Sequence, residues 1–385
     1  MADQQEMQDW RRDIHTHPEL GFDEVRTANK VAQLLESFGL EVHRNVGNTG
    51  VVGVLQRGTG EVAIGLRADM DALPIQEAND LAYRSVHDGV FHGCGHDGHT
   101  AMLLGAAKYL AQVESLNGTV NFIFQPSEED GRGALAMIAD GLFERFPMQA
   151  VYGLHNMPGL PVGHFAVRNG AIMTSEDIFE ITIHGRGGHA SMPERTVDPI
   201  IVGAEIALSL QTIVARSISS RDWAVVSMTE FITDGARNII PSTVTIKGDC
   251  RALSGDVQAT IERRMREIVA GICASHGATA EVLYQNDFVP TINTPAETEQ
   301  GIAAAKQAAG QAVVDQGVDA DCPTCGASED FARFLQQRPG CYMLLGNGTD
   351  GHCGSSLHNP NYDMNDDILT IGRDYWVALV KGICV

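Results

Sequence analysis

The order of strand and helix patterns along the chain restricts its fold more than any other feature. Buried strand patterns alternate with amphipathic or buried helical patterns, the strands at 51–55, 62–66, 119–124 and 150–154 and the helices at 31–38, 100–112 and 134–139. Strands separated by helices are typical of a mainly parallel sheet covered on both faces. Similar elements return at 297–313, 329–336, 342–345 and from Ile368 onward. The sequence therefore predicts an α/β domain built from both ends of the chain.

A second pattern interrupts this domain. It consists of a strand, a helix, two strands, a helix and a strand, at 178–184, 199–216, 223–231, 243–250, 257–275 and 279–285. This β-α-β-β-α-β order is that of a ferredoxin-like α+β unit. We therefore predict two domains, one formed by residues 1–171 and 290–385 and a smaller inserted one formed by residues 172–289.

Charge and composition exclude several classes of partner. The chain has 385 residues, of which 44% are hydrophobic and 20% charged, and its formal net charge is −22. A nucleic-acid backbone or an anionic membrane would repel such a protein. No secretory signal pattern and no membrane-length apolar run is visible, and the eight cysteines are scattered. Reduced thiols in the cytoplasm are the simplest interpretation.

The segment His92-Gly93-Cys94-Gly95-His96-Asp97-Gly98-His99 is the richest in metal-binding side chains. It is predicted to lead into a helix that begins at Thr100. Thiolate, imidazole and carboxylate groups in one loop suit Zn²⁺, with Mn²⁺ and Co²⁺ as alternatives. The alternative is a polar loop with a helix cap.

An acidic segment follows the strand that ends at Phe124. It reads Gln125-Pro126-Ser127-Glu128-Glu129-Asp130. Ligands of α/β proteins bind at the carboxyl ends of sheet strands, and adjacent carboxylates repel one another unless a cation lies between them. Neighbouring side chains point in different directions, so one glutamate can bind metal while the other faces water. An acidic surface loop is the alternative.

Two further histidines complete the pattern. His155 follows the strand 150–154, and His358 lies in a late loop. Either alone is more often structural than a ligand. Four loops that meet at one sheet edge nevertheless predict a metal site, and a metal site beside a free carboxylate favours hydrolysis of an amide.

The whole pattern resembles the M20 metallopeptidase family, in particular its aminoacylase, hippurate hydrolase and auxin-conjugate hydrolase branch. The resemblance runs nearly end to end and rests on the Cys94 segment, on the Glu128-Glu129 segment, on the His358 segment and on His15-Thr16-His17-Pro18-Glu19-Leu20-Gly21-Phe22, Leu66-Arg67-Ala68-Asp69-Met70-Asp71-Ala72-Leu73-Pro74, Gly185-Arg186-Gly187-Gly188-His189-Ala190 and Gly326-Ala327-Ser328-Glu329-Asp330-Phe331.

The resemblance implies a binuclear enzyme that removes the acyl group from N-acyl-L-amino acids. It implies two divalent ions per subunit, with Zn²⁺ favoured and Mn²⁺, Co²⁺ or Ni²⁺ as alternatives. The implied ligands, with Cys94 as the bridge, are Cys94, His96, Glu129, His155 and His358. Glu128 is the implied general base and later the proton donor to the amine. Because many relatives carry His-x-Asp at Asp69-Met70-Asp71, Asp69 is not assumed to be a ligand.

The resemblance also assigns roles to the inserted domain. Residues 172–289 would form a lid and dimerisation domain, so a homodimer is expected. His189 would reach the scissile carbonyl, in relatives from the partner subunit, and Asn238 and Arg251 would hold the substrate carboxylate. From the residues alone, His189 is equally a turn residue and Arg251 equally a surface charge. The roles of Asp97 and His99 stay open, with orientation of a ligand considered for Asp97.

Three functions remain open at this point. The first is hydrolysis of N-acyl amino acids, and the second is another activity of the family, such as a dipeptidase or a deacylase of N-acetyl-diamino acids or N-acyl-cysteine. The third is a non-catalytic metal-binding protein, which the retention of Glu128 beside Glu129 disfavours. The pair Cys322-Pro323-Thr324-Cys325 is too isolated to indicate a redox or zinc site.

Overall fold

The computed structural model describes residues 3–309 and 317–384. Its α-helices are α1 Gln4–Thr16, α2 Val25–Ser37, α3 His96–Leu110, α4 Gly133–Ala139, α5 Leu142–Arg145, α6 Pro199–Thr212, α7 Gly255–His276, α8 Pro295–Ala309, α9 Phe331–Leu335, α10 Gly351–Gly354 and α11 Leu369–Ile383. Its strands are β1 Glu41–Val46, β2 Gly50–Arg57, β3 Ala63–Asp69, β4 Gly118–Gln125, β5 Ala150–Pro158, β6 Phe165–Ala166, β7 Gly170–Met173, β8 Glu176–His184, β9 Gly188–His189, β10 Ala224–Thr233, β11 Ile239–Ile240, β12 Thr243–Ala252, β13 Thr279–Phe288, β14 Thr291–Asn293, β15 Val318–Asp319 and β16 Gly340–Gly348.

The chain divides into two compact units. Unit 1 contains residues 1–172, 292–323 and 329–385, and unit 2 contains residues 173–291 and 324–328. The short return of residues 324–328 to unit 2 could not be anticipated from the sequence, since it depends on pairing such as the bridge between Met173 and Cys325.

Unit 1 is built around an eight-stranded sheet in the order β1-β2-β4-β3-β5-β16-β6-β15. The central strands β4, β3, β5 and β16 run parallel to one another, whereas β1, β2 and β4 pair antiparallel at one side. Every residue of β3 is buried, as expected of a parallel strand with both faces covered. The predicted α/β class with a mainly parallel sheet is confirmed.

Helices cover this sheet and complete its core. Helix α11 packs against α3 and α8, and α1 packs against α3. The core contains large side chains such as Phe122, Tyr152 and Trp376, all at most 1% exposed. The N-terminal helix α1 was not predicted, because Arg11 and His15 on its buried face interrupt the apolar pattern. The predicted helix at 297–313 corresponds to α8, and residues 310–313 lie outside the described part of the chain.

Unit 2 has the predicted ferredoxin-like form. Its antiparallel sheet has the order β10-β12-β8-β13, which places the second, third, first and fourth strands of the β-α-β-β-α-β series side by side. Helices α6 and α7 pack on this sheet around a core that includes Ile181, Ile206 and Ile261. The small strands β9 and β11 form a separate ribbon.

The stretch Pro199–Ser217, which is α6 and the turn that follows it, is the one helix among the described residues long and apolar enough to span a membrane. Its mean hydropathy is 1.4, and 28% of the most apolar window is buried. Helices that pack in the core of globular proteins pass the same test. One face of α6 carries the core residues Val202, Ile206 and Leu210, whereas Leu208 is 76% exposed.

Candidate metal centre

The site begins at the carboxyl ends of three adjacent parallel strands. Strand β3 ends at Asp69, β4 leads into residues 126–130, and β5 carries His155 near its end. Because β4, β3 and β5 are neighbours in the sheet, their carboxyl ends deliver these side chains to one edge, where α/β folds bind ligands. The prediction that β5 stops before His155 was wrong, since the strand continues to Pro158.

Helix α3 supplies the fourth element of the site. It begins at His96 and not at Thr100 as predicted, so His96 and His99 lie on its first turn, three residues apart on one face. Gly95 precedes it with φ of +91°, and a Cβ there would lie 2.5 Å from Asn156 Oδ1 and 2.6 Å from the Tyr362 hydroxyl. Only glycine satisfies both conditions. The start of α3 was missed because the residues of its first turn, such as His96 and Asp97, are polar although they are buried.

His96 is held with one ring nitrogen facing the site. Its Nδ1 lies 2.9 Å from the Asp71 carbonyl oxygen and 3.1 Å from Asp71 Oδ1. Its Nε2 is buried and has no hydrogen-bond partner among the described residues. A carboxylate that fixes one nitrogen of a histidine while the other stays free is the usual support of a metal-binding imidazole.

Cys94 and His155 meet on the other side of His96. The Cys94 Sγ lies 3.4 Å from His155 Nε2, and His155 Nδ1 donates to the Asn156 carbonyl oxygen at 2.6 Å. The ligand atoms of Cys94, His96 and Glu129 all lie within 4.8 Å of one another. The Cys94 thiol therefore lies close both to His155 and to Glu129.

Glu129 connects this group to His358. Its Oε1 lies 3.8 Å from His96 Nε2 and is buried without a partner among the described residues, and its Oε2 lies 3.4 Å from His358 Nε2. The Asp71 carboxylate accepts from the Glu129 backbone N–H at 3.0 Å. His358 has φ of +64°, a left-handed conformation that a histidine adopts at a cost, which is typical of functional loops. The five predicted ligands thus lie side by side.

Glu128 belongs to a second group of acidic side chains, although it is adjacent to Glu129 in sequence. Its carboxylate clusters with those of Glu329 and Asp330, within 4.8 Å. Burial, followed by the charges of Glu329 and Glu129, raises the pKa of Glu128 well above its usual range. Burial also raises the pKa of Glu129, to about 7. Repulsion of this kind is relieved by a cation between the groups.

Arg67 pairs with several of these buried carboxylates, and sequence analysis did not identify it as a site residue. It is 1% exposed and pairs with Asp69 at 2.7 Å, Glu329 at 2.8 Å and Asp330 at 3.1 Å. The carboxylates gathered here are those of Asp69, Asp71, Glu128, Glu129, Glu329 and Asp330. Arg67 pairs with three of these carboxylates, and the raised pKa values of Glu128 and Glu129 show that the charged forms of these two acids are unfavourable in the interior unless a further cation lies beside them.

The structure gives the hydrogen bonds of His99 and Asp97, whose roles the sequence left open. His99 Nδ1 pairs with Asp69 at 2.6 Å, and its Nε2 faces Asn156 Oδ1 at 2.7 Å, so both ring nitrogens are occupied. Asp97 pairs with His15 at 2.9 Å and with Arg11 at 3.3 Å. Asp97 therefore anchors helix α1 and does not orient a predicted ligand.

Asp69 and Asp71 were not predicted as site residues, although their position at the end of a strand could have identified them. Asp69 ends the buried strand β3 of the central sheet and Asp71 follows two residues later, a position similar to the one that pointed to Glu129. Their contacts with His99 and His96 make them supports of the site.

The three residues predicted for substrate contacts lie in unit 2. His189 in β9 pairs with Ile239 in β11, and the Ala190 N–H donates to the Asn238 carbonyl at 3.1 Å, so this ribbon brings His189 and Asn238 together. The His189 side chain is exposed. Arg251 in β12 donates to Asp249 at 3.0 Å and to Glu176 at 2.8 Å. It is therefore already paired within its own unit.

Comparison with known proteins assigns the family. The family model described as Peptidase family M20/M25/M40 matches residues 65–382. The chain belongs to peptidase family M20. Among M20 relatives it is 42% identical to hippurate hydrolase of Campylobacter jejuni, over 98% of this chain and 96% of the relative. It is 38% identical to N-acetylcysteine deacetylase of Bacillus subtilis, over 96% and 94%.

Solved M20 structures agree with this assignment. A putative aminohydrolase from methicillin-resistant Staphylococcus aureus superposes with a TM-score of 0.92 at 33% identity, covering 99% of this chain and 97% of that one. A dinuclear metal binding peptidase from the M20 family of Bacillus subtilis superposes with a TM-score of 0.85 at 32% identity, over 99% and 98%. The chain is therefore an M20 hydrolase that acts on amide bonds, and its site has the donor set and the unpartnered buried atoms of a metal centre.

Proposed function

We propose that this protein removes the acyl group from N-acyl-L-amino acids by hydrolysis. The observation that carries the proposal is the separation of two neighbouring glutamates, with Glu129 among thiol and imidazole ligands and Glu128 among carboxylates. This difference in surroundings supports a metal-binding role for Glu129 and a proton-transfer role for Glu128. Identity of 42% with a hippurate hydrolase, whose name denotes cleavage of an acylated amino acid, supports this substrate class.

The same proposal includes two divalent cations per subunit. Cys94, His96, Glu129, His155 and His358 would hold them, and the Cys94 thiolate, which faces both sides of the site, would be shared. Thiol and imidazole donors favour Zn²⁺, with Mn²⁺, Co²⁺ or Ni²⁺ as alternatives. When bound, such ions polarise an amide carbonyl and make water more acidic.

Glu128 would act as the general base and then as the general acid. Its carboxylate would take a proton from the attacking water as the C–O bond forms at the acyl carbon. It would then give that proton to the amine nitrogen as the C–N bond breaks, which leaves a carboxylic acid and a free amino acid. The raised pKa of Glu128 supports this role, because a carboxyl group with a raised pKa keeps the proton that it has taken until the amine nitrogen accepts it.

Unit 2 would complete the site and join two subunits. We propose that His189 contacts the scissile carbonyl, in a partner subunit's site as the family resemblance implies, and that Asn238 and Arg251 bind the substrate carboxylate. Arg251 has donors left after pairing with Asp249 and Glu176, since a guanidinium carries five N–H groups. The exposed apolar residues Leu208, Phe231 and Ile232 support a homodimer through residues 172–289. All eight cysteines are free, which supports a reducing compartment such as the cytoplasm.

A substrate panel tests the proposal. Metal-loaded protein would be assayed with acetyl, benzoyl and longer acyl derivatives of several amino acids, including N-acetylcysteine, and with dipeptides as competitors. We expect faster cleavage of acyl amino acids than of dipeptides. The variant Glu128→Gln should keep both ions by elemental analysis and lose on the order of 10³-fold in kcat.

The outcomes separate the alternatives. Preferred cleavage of dipeptides would replace the proposal with a peptidase activity. A preference for N-acetylcysteine would favour the second candidate, a cysteine-derivative deacylase, which the 38% identity with such an enzyme suggests. Full turnover in Glu128→Gln would exclude Glu128 as the base.

A further inference from the structure

The segment Glu19–Glu24, between α1 and α2, contacts two loops of the metal centre, and no role has been given to it so far. The Glu19 carbonyl accepts from the Ala72 N–H at 2.8 Å, directly after Asp71. Leu20 and Ala72 form a parallel bridge. Gly21 lies against Ser127, directly before Glu128, since a Cβ on Gly21 would lie 2.5 Å from Ser127 Oγ.

Glu24 is a buried acid whose contacts lead to the same loop. It is 0% exposed, and its Oε1 accepts from the Ser127 backbone N–H at 2.8 Å. Its Oε2 accepts from the Thr49 hydroxyl at 2.6 Å. Glu24 occupies the N-cap position of α2, yet its side chain makes no capping hydrogen bond. The carboxylate therefore serves the Ser127 loop and not its own helix.

The Ser127 backbone needs such support. Ser127 has φ of +49°, a left-handed conformation that is unfavourable for a residue with a side chain. Three contacts hold it there: its N–H donates to Glu24, its carbonyl accepts from Gly133 N–H at 2.8 Å, and its hydroxyl donates to Asp130 at 2.7 Å. Because Glu128 is the next residue, the φ and ψ angles of Ser127 set where the Glu128 side chain starts.

We propose that Glu24 is a positioning residue for Glu128. Through the Ser127 N–H it fixes the turn that directs Glu128 toward the Glu329–Asp330 side. The inference rests on the proposed function, in which Glu128 is the base. The proposed role of Glu24 concerns the chemical step only. Loss of its hydrogen bond with the Ser127 N–H should lower kcat and leave substrate affinity and metal content unchanged.

Three variants test this inference in the metal-loaded enzyme. Glu24→Ala leaves the Ser127 N–H without an acceptor and should lower kcat by about 10- to 100-fold, because small displacements of a catalytic group have effects of that size. Glu24→Gln retains an acceptor oxygen and should restore most of kcat. Thr49→Val removes the other hydrogen bond of Glu24 and should keep kcat within about threefold of the parent.

The measurements are kcat and KM, the number of bound ions by elemental analysis, and the unfolding midpoint. The expected result is a fall in kcat confined to Glu24→Ala, with KM within about threefold and two ions retained. Gly21→Ala would place a methyl group too close to the Ser127 side chain and should lower kcat while Glu24 is intact. This variant provides the test if Glu24→Ala does not fold.

The inference is overturned by parent-like kcat in Glu24→Ala, by equal losses in Glu24→Ala and Thr49→Val, or by loss of an ion in Glu24→Ala. Each of these outcomes leaves the proposed function intact. Parent-like turnover in Glu128→Gln is the separate result that removes the proposed function itself.

Discussion

At the scale of single residues, the metal centre gathers buried acids whose charged forms are favoured by a nearby cation. Arg67 supplies such a charge to three of them, Asp69, Glu329 and Asp330. The remaining carboxylates face His96, Cys94 and one another. The ions are thus expected to contribute to folding stability as well as to chemistry.

Metal removal should therefore destabilise the protein in a pH-dependent way. Burial raises the pKa of Glu129 from 4.5 to about 7. A raised carboxyl pKa in the folded state means that stability is present below pH 4.5 and is lost as the pH rises through 7. We expect chelator-stripped protein to unfold at a lower temperature than metal-loaded protein, with a larger gap at pH 8 than at pH 5. A gap of equal size at both pH values, measured by circular dichroism, would contradict this.

Single residues were also where the sequence was most and least informative. Cys94 and His96 are close in sequence, Glu129 follows β4, and His155 lies in the second half of β5, so the carboxyl-terminal parts of strands pointed to these last two. Arg67 could not be found in this way, because its partner Glu329 is 262 residues away. The role of a single charged residue in a buried strand cannot be inferred from sequence when its ion-pair partners are distant in the chain.

At the scale of elements, many of the longer strands and helices were predicted near their observed bounds, whereas the edge strand β1 and several short strands were not predicted. Elements with buried polar residues were also missed. Helix α1 and the first turn of α3 were missed since Arg11, His15, His96 and Asp97 are polar and at most 1% exposed. Periodicity methods assign such residues to the surface. Strand β16 was predicted only at 342–345, although residues 340–348 form the strand and all of them are buried.

One buried acid in unit 2 gives a test at this scale. Asp177 in β8 accepts from Gln258 at 2.8 Å and from Asn286 at 2.6 Å, and burial raises its pKa from 3.8 to about 6. Stability from this group is present below pH 3.8 and is lost as the pH rises through 6. Asp177→Asn keeps an acceptor oxygen and removes the charge. We expect it to be more stable than the parent at pH 7, by about 1–2 kcal/mol, and no more stable at pH 4.

The measurement is denaturant unfolding followed at both pH values. Ser254→Ala, which removes the N-cap of the neighbouring helix α7, provides a control whose effect should not change with pH. A stability difference for Asp177→Asn that is the same at pH 4 and pH 7 would rule out a charge effect.

At the scale of the whole molecule, a homodimer with shared sites makes a clear prediction. If His189 serves the partner subunit's site, Glu128→Gln and His189→Ala are each inactive alone. Mixed dimers formed by refolding them together contain one site with both groups intact. We expect such mixtures to regain roughly a quarter of the parent activity, since half of the dimers are mixed and each has one intact site.

Sedimentation analysis of the same samples shows whether dimers form. Leu208→Glu, placed on the exposed face of α6, should convert dimers to monomers and prevent the recovery. Dimeric mixtures that stay inactive would show that His189 does not act on a partner's site.

The position of β16 has a consequence for how the protein is made. This strand comes from residues 340–348, yet it lies inside the sheet of unit 1, between β5 and β6. Most of unit 2, residues 173–291, is continuous in sequence. On the ribosome, unit 2 can therefore fold early, whereas the sheet edge that carries His155 lacks its neighbour until the chain is nearly finished. Until residues 340–348 are made, strand β5 and its His155 have no β16 to pair with, so the metal centre can be completed only late in synthesis.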